Sequence, residues 1–470
     1  MTAPSPHSHR FVLFATGVTA IGGFLFGYDT AVINGANSYL TAHLGLTPAE
    51  EGLAGASAIL GCIPGAMFAG FLSDRFGRRK MLFLCAILYA VSGLLSAIPR
   101  TFEEFLAARI ISGLGIGASS MICPVYIAEI APERWRGRLG SLFQLGIVTG
   151  IFLTLFVNHV IQGMGDEEWN TAFGWRWMLG MEVVPAIAFI GLLFTVPESP
   201  RWLARRGRTD EARSILSKVD GPAHAEREMT AIQSAAPSAE APFSALFSRN
   251  FRRPLALAAL LALFQQFCGI NAIMYYSTKI FETAGAVKNA AFTSSVWVGL
   301  INLIFTFVAI AFVDRLGRRP LLLIGTAVQS ISLLLVGWLF HSGQQGPLLL
   351  GGVVLFIAAF AMGMGPITWI FCSEIFPNEI RGRAMSVATF VIWVACYIVA
   401  QTFPILNDSP AVGPAMTFWL YATVSLVSFL FVLTLIPETK GRTLEEIGRM
   451  WRTPAPSPKQ MNPRHDIPRL

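Results

Sequence analysis

The motif DRFGRR at Asp74–Arg79 occurs a second time as DRLGRR at Asp314–Arg319. Two further charged stretches also occur twice, in the same order and at nearly the same offset. They are EIAPERWRGR and EIFPNEIRGR, at Glu129–Arg138 and Glu374–Arg383, and PESPR and PETKGR, at Pro197–Arg201 and Pro437–Arg442. The chain therefore contains two copies of one unit.

Each unit holds six apolar runs that are long enough to cross a membrane, which takes about 20 residues. Apolar residues make up 54% of the chain and charged residues only 13%, whereas a soluble domain carries about 25% charged residues. This composition excludes a soluble enzyme and a nucleic-acid binder. Strands of a membrane barrel would alternate polar and apolar residues, so the fold class is an all-α polytopic membrane protein. Twelve helices are predicted, at about 11–33, 52–72, 81–98, 104–128, 139–160, 175–196, 254–280, 291–313, 321–340, 347–372, 384–406 and 415–436.

Lys and Arg residues are concentrated in the connections on one side of the predicted membrane. The connections on that side hold about 30 of them and those on the other side about four. Because cytoplasmic loops carry the basic excess, both termini are predicted to be cytoplasmic. The expected organisation is a six-helix half at 1–197, a cytoplasmic linker with amphipathic helices at 198–253, a second six-helix half at 254–436 and a cytoplasmic tail at 437–470. Parallel halves of this kind build transporters that bind their substrate between them.

The repeated charges predict a latch on the cytoplasmic side. Acidic residues at helix ends would face Arg residues of neighbouring helices and tie each half together, and breaking these ties would accompany inward opening. Membrane topology alone explains the basic residues but not the repeated acidic positions. The predicted latch residues are Asp74, Arg78, Glu129, Arg136, Glu198 and Arg201 in the first copy, and Asp314, Arg318, Glu374, Arg381, Glu438 and Arg442 in the second.

The sequence offers no pattern for catalysis or metal binding. The six cysteines fall in or beside apolar runs without a CxxC pair, so we interpret them as packing residues. The seven histidines lack metal-ligand spacing, and no GxxxxGK[ST] motif indicates an ATP-driven pump. We therefore expect no metal, no cofactor, no nucleic-acid partner and no enzymatic activity.

Several motifs in order resemble the sugar porter family of the major facilitator superfamily. The resemblance extends over nearly the whole chain, from GYDTAVING at Gly27–Gly35 to PETKGR at Pro437–Arg442. It also includes PESPRWL at Pro197–Leu203, QQFCGIN at Gln265–Asn271 and GPITW at Gly365–Trp369. It implies a major facilitator fold of two six-helix halves with short cytoplasmic helices between them.

Polar residues at membrane depth are costly and are functional candidates, although amides also join helices and aromatics also fill space. Amides can donate to and accept from sugar hydroxyls, and aromatic rings can stack on the C–H face of a sugar. The resemblance favours substrate binding over simple packing. The predicted substrate-binding residues are Gln144, Gln265, Gln266, Asn271, Asn302 and Trp369, with Phe26, Tyr275, Phe360 and Trp393 as aromatic contacts or gates.

One position departs from the pattern of the family. The family often has an amide immediately before the tryptophan of the eleventh span, whereas this chain has Ile392 before Trp393. An Ile side chain cannot hydrogen-bond a hydroxyl group, so one contact to the sugar is missing and the sugar preference stays open.

Asp29 in the first span and Arg109 in the fourth are the candidates for proton coupling. Both are predicted in the outer half of the membrane, where neither charge is stable alone, so we expect them to pair. Protonation of Asp29 would release Arg109 and permit the conformational change. In the resembling proteins an Asp at this position accompanies proton symport, although some facilitators also have the acid. The alternative is a purely structural ion pair.

The leading prediction is a monosaccharide–proton symporter, with a hexose such as glucose as substrate. The nearest alternative is a facilitative uniporter with the same binding site, and a membrane sugar sensor is a more distant one. The external connections are short and lack the large glycosylated loop of many animal relatives. We therefore expect a bacterial cytoplasmic membrane, contact with membrane lipid and a monomer.

Overall fold

The computed structural model describes residues 6–132, 135–234, 246–248, 251–344, 346–376 and 380–440, without the side chains of 6–9, 136, 137, 233, 234, 314, 381 and 382. In these ranges the chain forms helices and no strand. The helices are α1 Pro6–Leu44, α2 Pro48–Phe76, α3 Arg78–Ala97, α4 Phe102–Ile130, α5 Arg136–Gln162, α6 Glu167–Trp169, α7 Trp175–Gly180, α8 Val183–Leu193, α9 Pro200–Arg205, α10 Thr209–Asp220, α11 Pro222–Ser234, α12 Arg252–Phe267, α13 Ile270–Thr283, α14 Lys288–Leu316, α15 Arg318–Ser342, α16 Pro347–Met362, α17 Met364–Glu374, α18 Arg381–Asn407 and α19 Gly413–Leu435.

Twelve helical segments in the described ranges are long and apolar enough to cross a membrane, as the sequence predicts. Their boundaries differ most at the first span, which runs to Leu44 and so passes the predicted end at residue 33. Asp29 consequently lies nearer the middle of this span than to its outer end.

Three spans are built from more than one helix. The sixth contains α6, a π-helical turn at Asn170–Gly174, α7 and α8. The seventh consists of α12 and α13, which are separated at Gly269 with a φ of 89°. The tenth consists of α16 and α17, which are separated at Gly363. A left-handed φ favours glycine because a Cβ atom would clash with the backbone, so Gly269 permits the break in the seventh span.

Two pairs of spans in the first half, α1 with α5 and α2 with α4, pack backbone against backbone. A Cβ atom added to Gly27 on α1 would collide with the carbonyl oxygen of Ile147 on α5, and one added to Gly113 on α4 would collide with that of Ala58 on α2. Glycine at these positions lets the helices approach more closely than any side chain would allow.

Helices of the two halves meet along two long contacts, α5 with α14 and α2 with α18, and α1 also contacts α13. These contacts place α1, α2, α12, α13 and α18 around the centre of the molecule.

Three short helices follow the sixth span, as predicted for the linker. They bury a small apolar cluster of their own that includes Leu203, Leu216 and Met229. The Ala/Pro/Ser-rich segment after Ser234 and the C-terminal tail lie outside the described residues, apart from residues 246–248 and 437–440.

Candidate functional site

Asp29 and Arg109 form a buried ion pair between α1 and α4. Arg109 donates from Nη1 to Asp29 Oδ1 at 2.5 Å and from Nη2 to the Asp29 backbone carbonyl at 3.2 Å. The exposed fraction of the Asp29 residue is 0% and that of Arg109 is 1%. Separating the two charges would leave each of them buried without its partner, so the geometry favours a pair that stays together unless one group changes its protonation state.

A third ionisable group, Glu182, lies beside this pair, and the sequence analysis did not identify it. Glu182 is 1% exposed and lies near Asp29. Asp29 Oδ2 and Glu182 Oε1 have no hydrogen-bond donor among the described residues. The arrangement therefore offers a site for one exchangeable proton next to a fixed cation.

Glu182 could have been recognised from the sequence. It lies in GMEVVP inside the sixth predicted span, and the rule that singles out Asp29, that an acidic residue in a membrane span is a functional candidate, applies to it as well.

Gln265, at the end of α12, joins the two broken spans. Its Nε2 donates to the carbonyl oxygens of Met364 and Gly365, both at 3.0 Å. These two residues begin α17, immediately after the break at Gly363, so this contact ties the end of α12 to the start of α17. Gln265 is 2% exposed.

The other two amides of QQFCGIN continue this contact. Gln266 donates from Nε2 to Gln265 Oε1 at 3.4 Å, and Asn271 donates from Nδ2 to Gln266 Oε1. Asn271 Nδ2 also contacts Cys396 Sγ on α18 at 3.1 Å, and the Tyr275 hydroxyl lies 3.9 Å from the same sulfur. We name the connected side chains of Gln265, Gln266, Asn271 and Cys396 the amide chain.

The predicted aromatic residues lie at different depths around this chain. The rings of Phe26 and Trp393 are 5.9 Å apart across the two halves, and Trp393 is 7% exposed with no acceptor for its Nε1 among the described residues. Phe360 on α16 packs near Phe356, with ring centroids 6.4 Å apart. Trp369 on α17 is 38% exposed.

Gln144 on α5 is half-buried and Asn302 on α14 is 6% exposed. Because α5 and α14 pack against each other, both residues lie on helices that meet between the halves. No contact joins either side chain to the amide chain among the described hydrogen bonds.

A small cavity lies beside the ion pair. It is lined by Asp29 and Arg109 of the ion pair, by Tyr275 and Trp393 near the amide chain, and by the cysteine Cys62. The predicted proton-coupling pair and part of the predicted substrate site therefore border one space.

The repeated charges of the first half form a network around Arg78. Arg78 donates from Nε and Nη2 to the two carboxylate oxygens of Glu129, at 3.0 and 3.1 Å, and pairs with Asp74 at 2.8 Å. Glu198 accepts hydrogen bonds from the backbone N–H groups of Arg78 and Arg79. Arg201 points elsewhere and lies 3.8 Å from Glu228 in the linker.

The second half repeats this geometry, as the repeated sequence suggests. Arg318 donates from Nη2 to Glu374 at 2.8 Å, and Glu438 accepts from the backbone N–H groups of Arg318 and Arg319. The predicted side chains of Arg136, Asp314, Arg381 and Arg442 lie outside the described residues. All these described contacts stay within one half.

The opposite face is held by contacts between the halves, which the sequence analysis missed. Lys279 on α13 lies 2.5 Å from Glu51 on α2 and 2.8 Å from Asp408 after α18. Asn34 on α1 donates to the Met274 carbonyl at 2.8 Å and to Ser277 at 2.7 Å. Isolated polar residues near span ends carry no pattern that would have identified these partners.

Comparison with known proteins extends these observations. Residues 15–451 match the model of the family described as "Sugar (and other) transporter". The chain is 43% identical to the arabinose-proton symporter of Bacillus subtilis, over 95% of this chain and 96% of that one. It is 40% identical to the glucose transport protein of a Synechocystis strain, over 93% and 97% of the two chains. The inward open structure of the xylose transporter XylE from E. coli superposes with a TM-score of 0.85 at 36% identity, covering 94% of this chain and all of that one.

Proposed function

Because the chain belongs to the sugar porter family of the major facilitator superfamily, a family of transporters and not of enzymes, we propose that it imports a monosaccharide together with a proton by alternating access. The proposed substrate is a hexose such as glucose. The proposed sugar site is the amide chain with its surrounding aromatic residues, and the proposed proton site is Asp29 with Arg109 and Glu182.

The cavity shared by Asp29, Arg109, Tyr275 and Trp393 is the observation that carries this proposal. Symport requires that sugar binding and protonation act on the same conformational equilibrium. Tyr275 contacts the sulfur of Cys396, which belongs to the amide chain, and its ring also borders the space in front of Asp29. A sugar that moves Tyr275 or Trp393 would thus change the surroundings of the ion pair.

The arrangement of contacts supports alternating access. On the face of Lys279 and Asn34, hydrogen bonds cross from one half to the other, whereas the described charges around Arg78 and Arg318 bind within their own halves. Rocking of the halves would break the first group and preserve the second. We therefore propose that the charge latch keeps each half rigid, instead of breaking on inward opening as expected from the sequence, and that the Lys279 face is the one closed in this conformation.

The proposed location is the bacterial cytoplasmic membrane. The excess of Lys and Arg around the Arg78 and Arg318 networks and the linker supports a cytoplasmic location for that face and for both termini. The Lys279 face is then external. We further propose that the protein acts as a monomer surrounded by lipid.

Uptake into proteoliposomes tests the proposal. Labelled glucose, xylose and arabinose are supplied separately, with and without an inward proton gradient, and a protonophore serves as the control for the gradient. We expect one of these sugars to accumulate above its external concentration only when the gradient is present. Uptake that stops at equal concentrations under both conditions would identify a uniporter instead.

A matched pair of variants tests the sugar site. Gln266→Leu removes an amide that is 7% exposed within the amide chain, and Gln344→Leu makes the same change on an exposed loop. We expect the first to raise KM about tenfold or more, because a lost hydrogen bond costs about 1–1.5 kcal/mol, and the second to leave KM unchanged. Equal KM values for both variants would contradict the assignment.

A further inference from the structure

The amide chain has a direction that is set at one end. Backbone carbonyl groups only accept hydrogen bonds, so Gln265 has to turn its NH₂ group towards Met364 and Gly365. Its Oε1 then faces Gln266 and accepts from Nε2. Gln266 in turn presents Oε1 to Asn271 Nδ2. The two carbonyl groups at the start of α17 therefore determine which way all three amides face.

Cys396 holds the other end of the amide chain. Its sulfur lies 3.1 Å from Asn271 Nδ2, which is a contact of the second N–H of that amide, and the cysteine is 3% exposed. With both N–H groups of Asn271 engaged, by Gln266 and by Cys396, the polar atom of Asn271 left for a ligand is Oδ1. Asn271 itself is only half-buried, and no described hydrogen bond engages this oxygen.

We propose that Cys396 is a positioning residue of the sugar site, whose sulfur fixes the Asn271 amide so that Oδ1 accepts a hydrogen bond from one sugar hydroxyl. This inference rests on the proposed function. It predicts the chemistry of that contact: the substrate must donate a proton at this position, and an atom that only accepts hydrogen bonds cannot replace the hydroxyl.

The alternative is that Cys396 is a small packing residue, as the sequence alone suggests for all six cysteines. The two roles predict opposite results for two substitutions. If sulfur acts as an acceptor for Asn271, Cys396→Ser preserves the contact and Cys396→Ala leaves an N–H group unpaired. If the sulfur only fills space, Cys396→Ala is tolerated. Cys396→Ser is then the more harmful substitution, because it buries a hydroxyl group that has no hydrogen-bond partner.

Sugar analogues give a readout that packing would not affect. A deoxy sugar lacks the hydroxyl at one carbon, and a deoxyfluoro sugar has a fluorine there that can accept a hydrogen bond but not donate one. In the wild type we expect one carbon at which both analogues bind about tenfold more weakly than the parent sugar, as for one lost hydrogen bond of about 1.4 kcal/mol. In Cys396→Ala the Asn271 amide still donates to Gln266, but its second N–H loses its acceptor and can be presented to the ligand, so the deoxyfluoro analogue should bind better than the deoxy analogue.

The experiment measures competition of each analogue with uptake of the transported monosaccharide, for the wild type, Cys396→Ser, Cys396→Ala and the control Cys123→Ala. Cys123 is a buried cysteine on α4 whose sulfur packs near Gly22, away from the amide chain. We expect Cys396→Ala to raise KM about five- to tenfold with kcat retained, and Cys396→Ser and Cys123→Ala to keep KM within about twofold of the wild type.

Two results would overturn the inference: an unchanged KM and an unchanged order of analogues in Cys396→Ala, or a larger effect of Cys396→Ser than of Cys396→Ala. Binding of the same analogues is measured in parallel by the thermal shift of the purified proteins. A wild type that binds sugar without transporting it would refute the proposed function while the binding data still decide the role of Cys396. A wild type that binds no monosaccharide would refute both.

Discussion

Replacement of Asp29 by Asn tests the proposed coupling most directly. Asn has nearly the shape of Asp, and its Oδ1 can still accept from Arg109 Nη1, which is 2.5 Å from Asp29 Oδ1 in the wild type. The variant lacks only the group that takes up a proton. We therefore expect it to bind and exchange sugar but to lose accumulation driven by the proton gradient.

The size of the effect follows from the energy of one proton. Moving one charge across the membrane yields about 2.3 kcal/mol per 100 mV, or roughly 3.5 kcal/mol at about 150 mV. At 1.4 kcal/mol per tenfold change, one proton per sugar supports roughly 300-fold accumulation. In Asp29→Asn the ratio of internal to external sugar should fall to about one.

Stability has to be measured beside transport. Removing one partner of a buried ion pair costs about 3–5 kcal/mol, but Glu182 remains as a neighbouring acid that can balance Arg109. We expect a loss below that range and a folded protein. Asp210→Asn is the control, because it makes the same change at a linker carboxylate that is 98% exposed.

The assay loads proteoliposomes so that a potassium diffusion potential of about 150 mV drives protons inward, and it follows labelled sugar to steady state. Exchange of labelled for unlabelled sugar without a potential is measured on the same preparations. If Asp29→Asn accumulates sugar to the wild-type ratio, Asp29 is not the proton site and the reasoning fails. If exchange is lost as well, the ion pair serves the conformational change itself, and coupling has to be sought at Glu182.

Three further predictions concern other parts of the molecule. Lys279→Met leaves the buried Glu51 without its cation, so the Lys279 face should open more readily, by about 2 kcal/mol for a charged hydrogen bond. Faster hydrogen exchange of α13 would show this opening, and unchanged exchange would contradict it. In Arg78→Lys the ammonium group cannot reproduce the two parallel hydrogen bonds to Glu129. We therefore expect the thermal midpoint and the turnover number to fall while KM stays constant. A wild-type turnover number would argue against the latch. Ile392→Gln introduces an amide one helical turn before Cys396. The ratio of the KM values for glucose and xylose should then change by about tenfold, as for one hydrogen bond. A constant ratio would show that this position does not contact the sugar.

The sequence predicted the fold well because membrane spans and repeats are local patterns. The twelve spans can be predicted from the length of the apolar runs. The two-fold repeat can be recognised from the near-identical sequences at Asp74–Arg79 and Asp314–Arg319. The contact of Asp29 with Arg109 was also expected, because two opposite charges at similar membrane depth have few other partners. Their role in coupling stays a prediction.

Other parts of the candidate site could not be predicted from the sequence. Cys396 was interpreted as a packing residue, since nothing in a single cysteine within an apolar run indicates that Asn271 contacts its sulfur. The direction of the amides depends on the carbonyl groups of Met364 and Gly365, which come close to Gln265 only after two broken helices pack together. Such contacts between distant segments have no local signature.

The close packing of Gly27 against Ile147 and of Gly113 against Ala58 has a consequence for the way force is distributed in the protein. Helices that touch backbone to backbone cannot slide without a clash, so α1 with α5 and α2 with α4 should each deform as one stiff pair. The spans interrupted at Asn170–Gly174, Gly269 and Gly363 consist of short segments that can tilt separately. Elastic strain from rocking should therefore collect in these three spans, and they should be the first to soften when the membrane becomes thinner or the temperature rises.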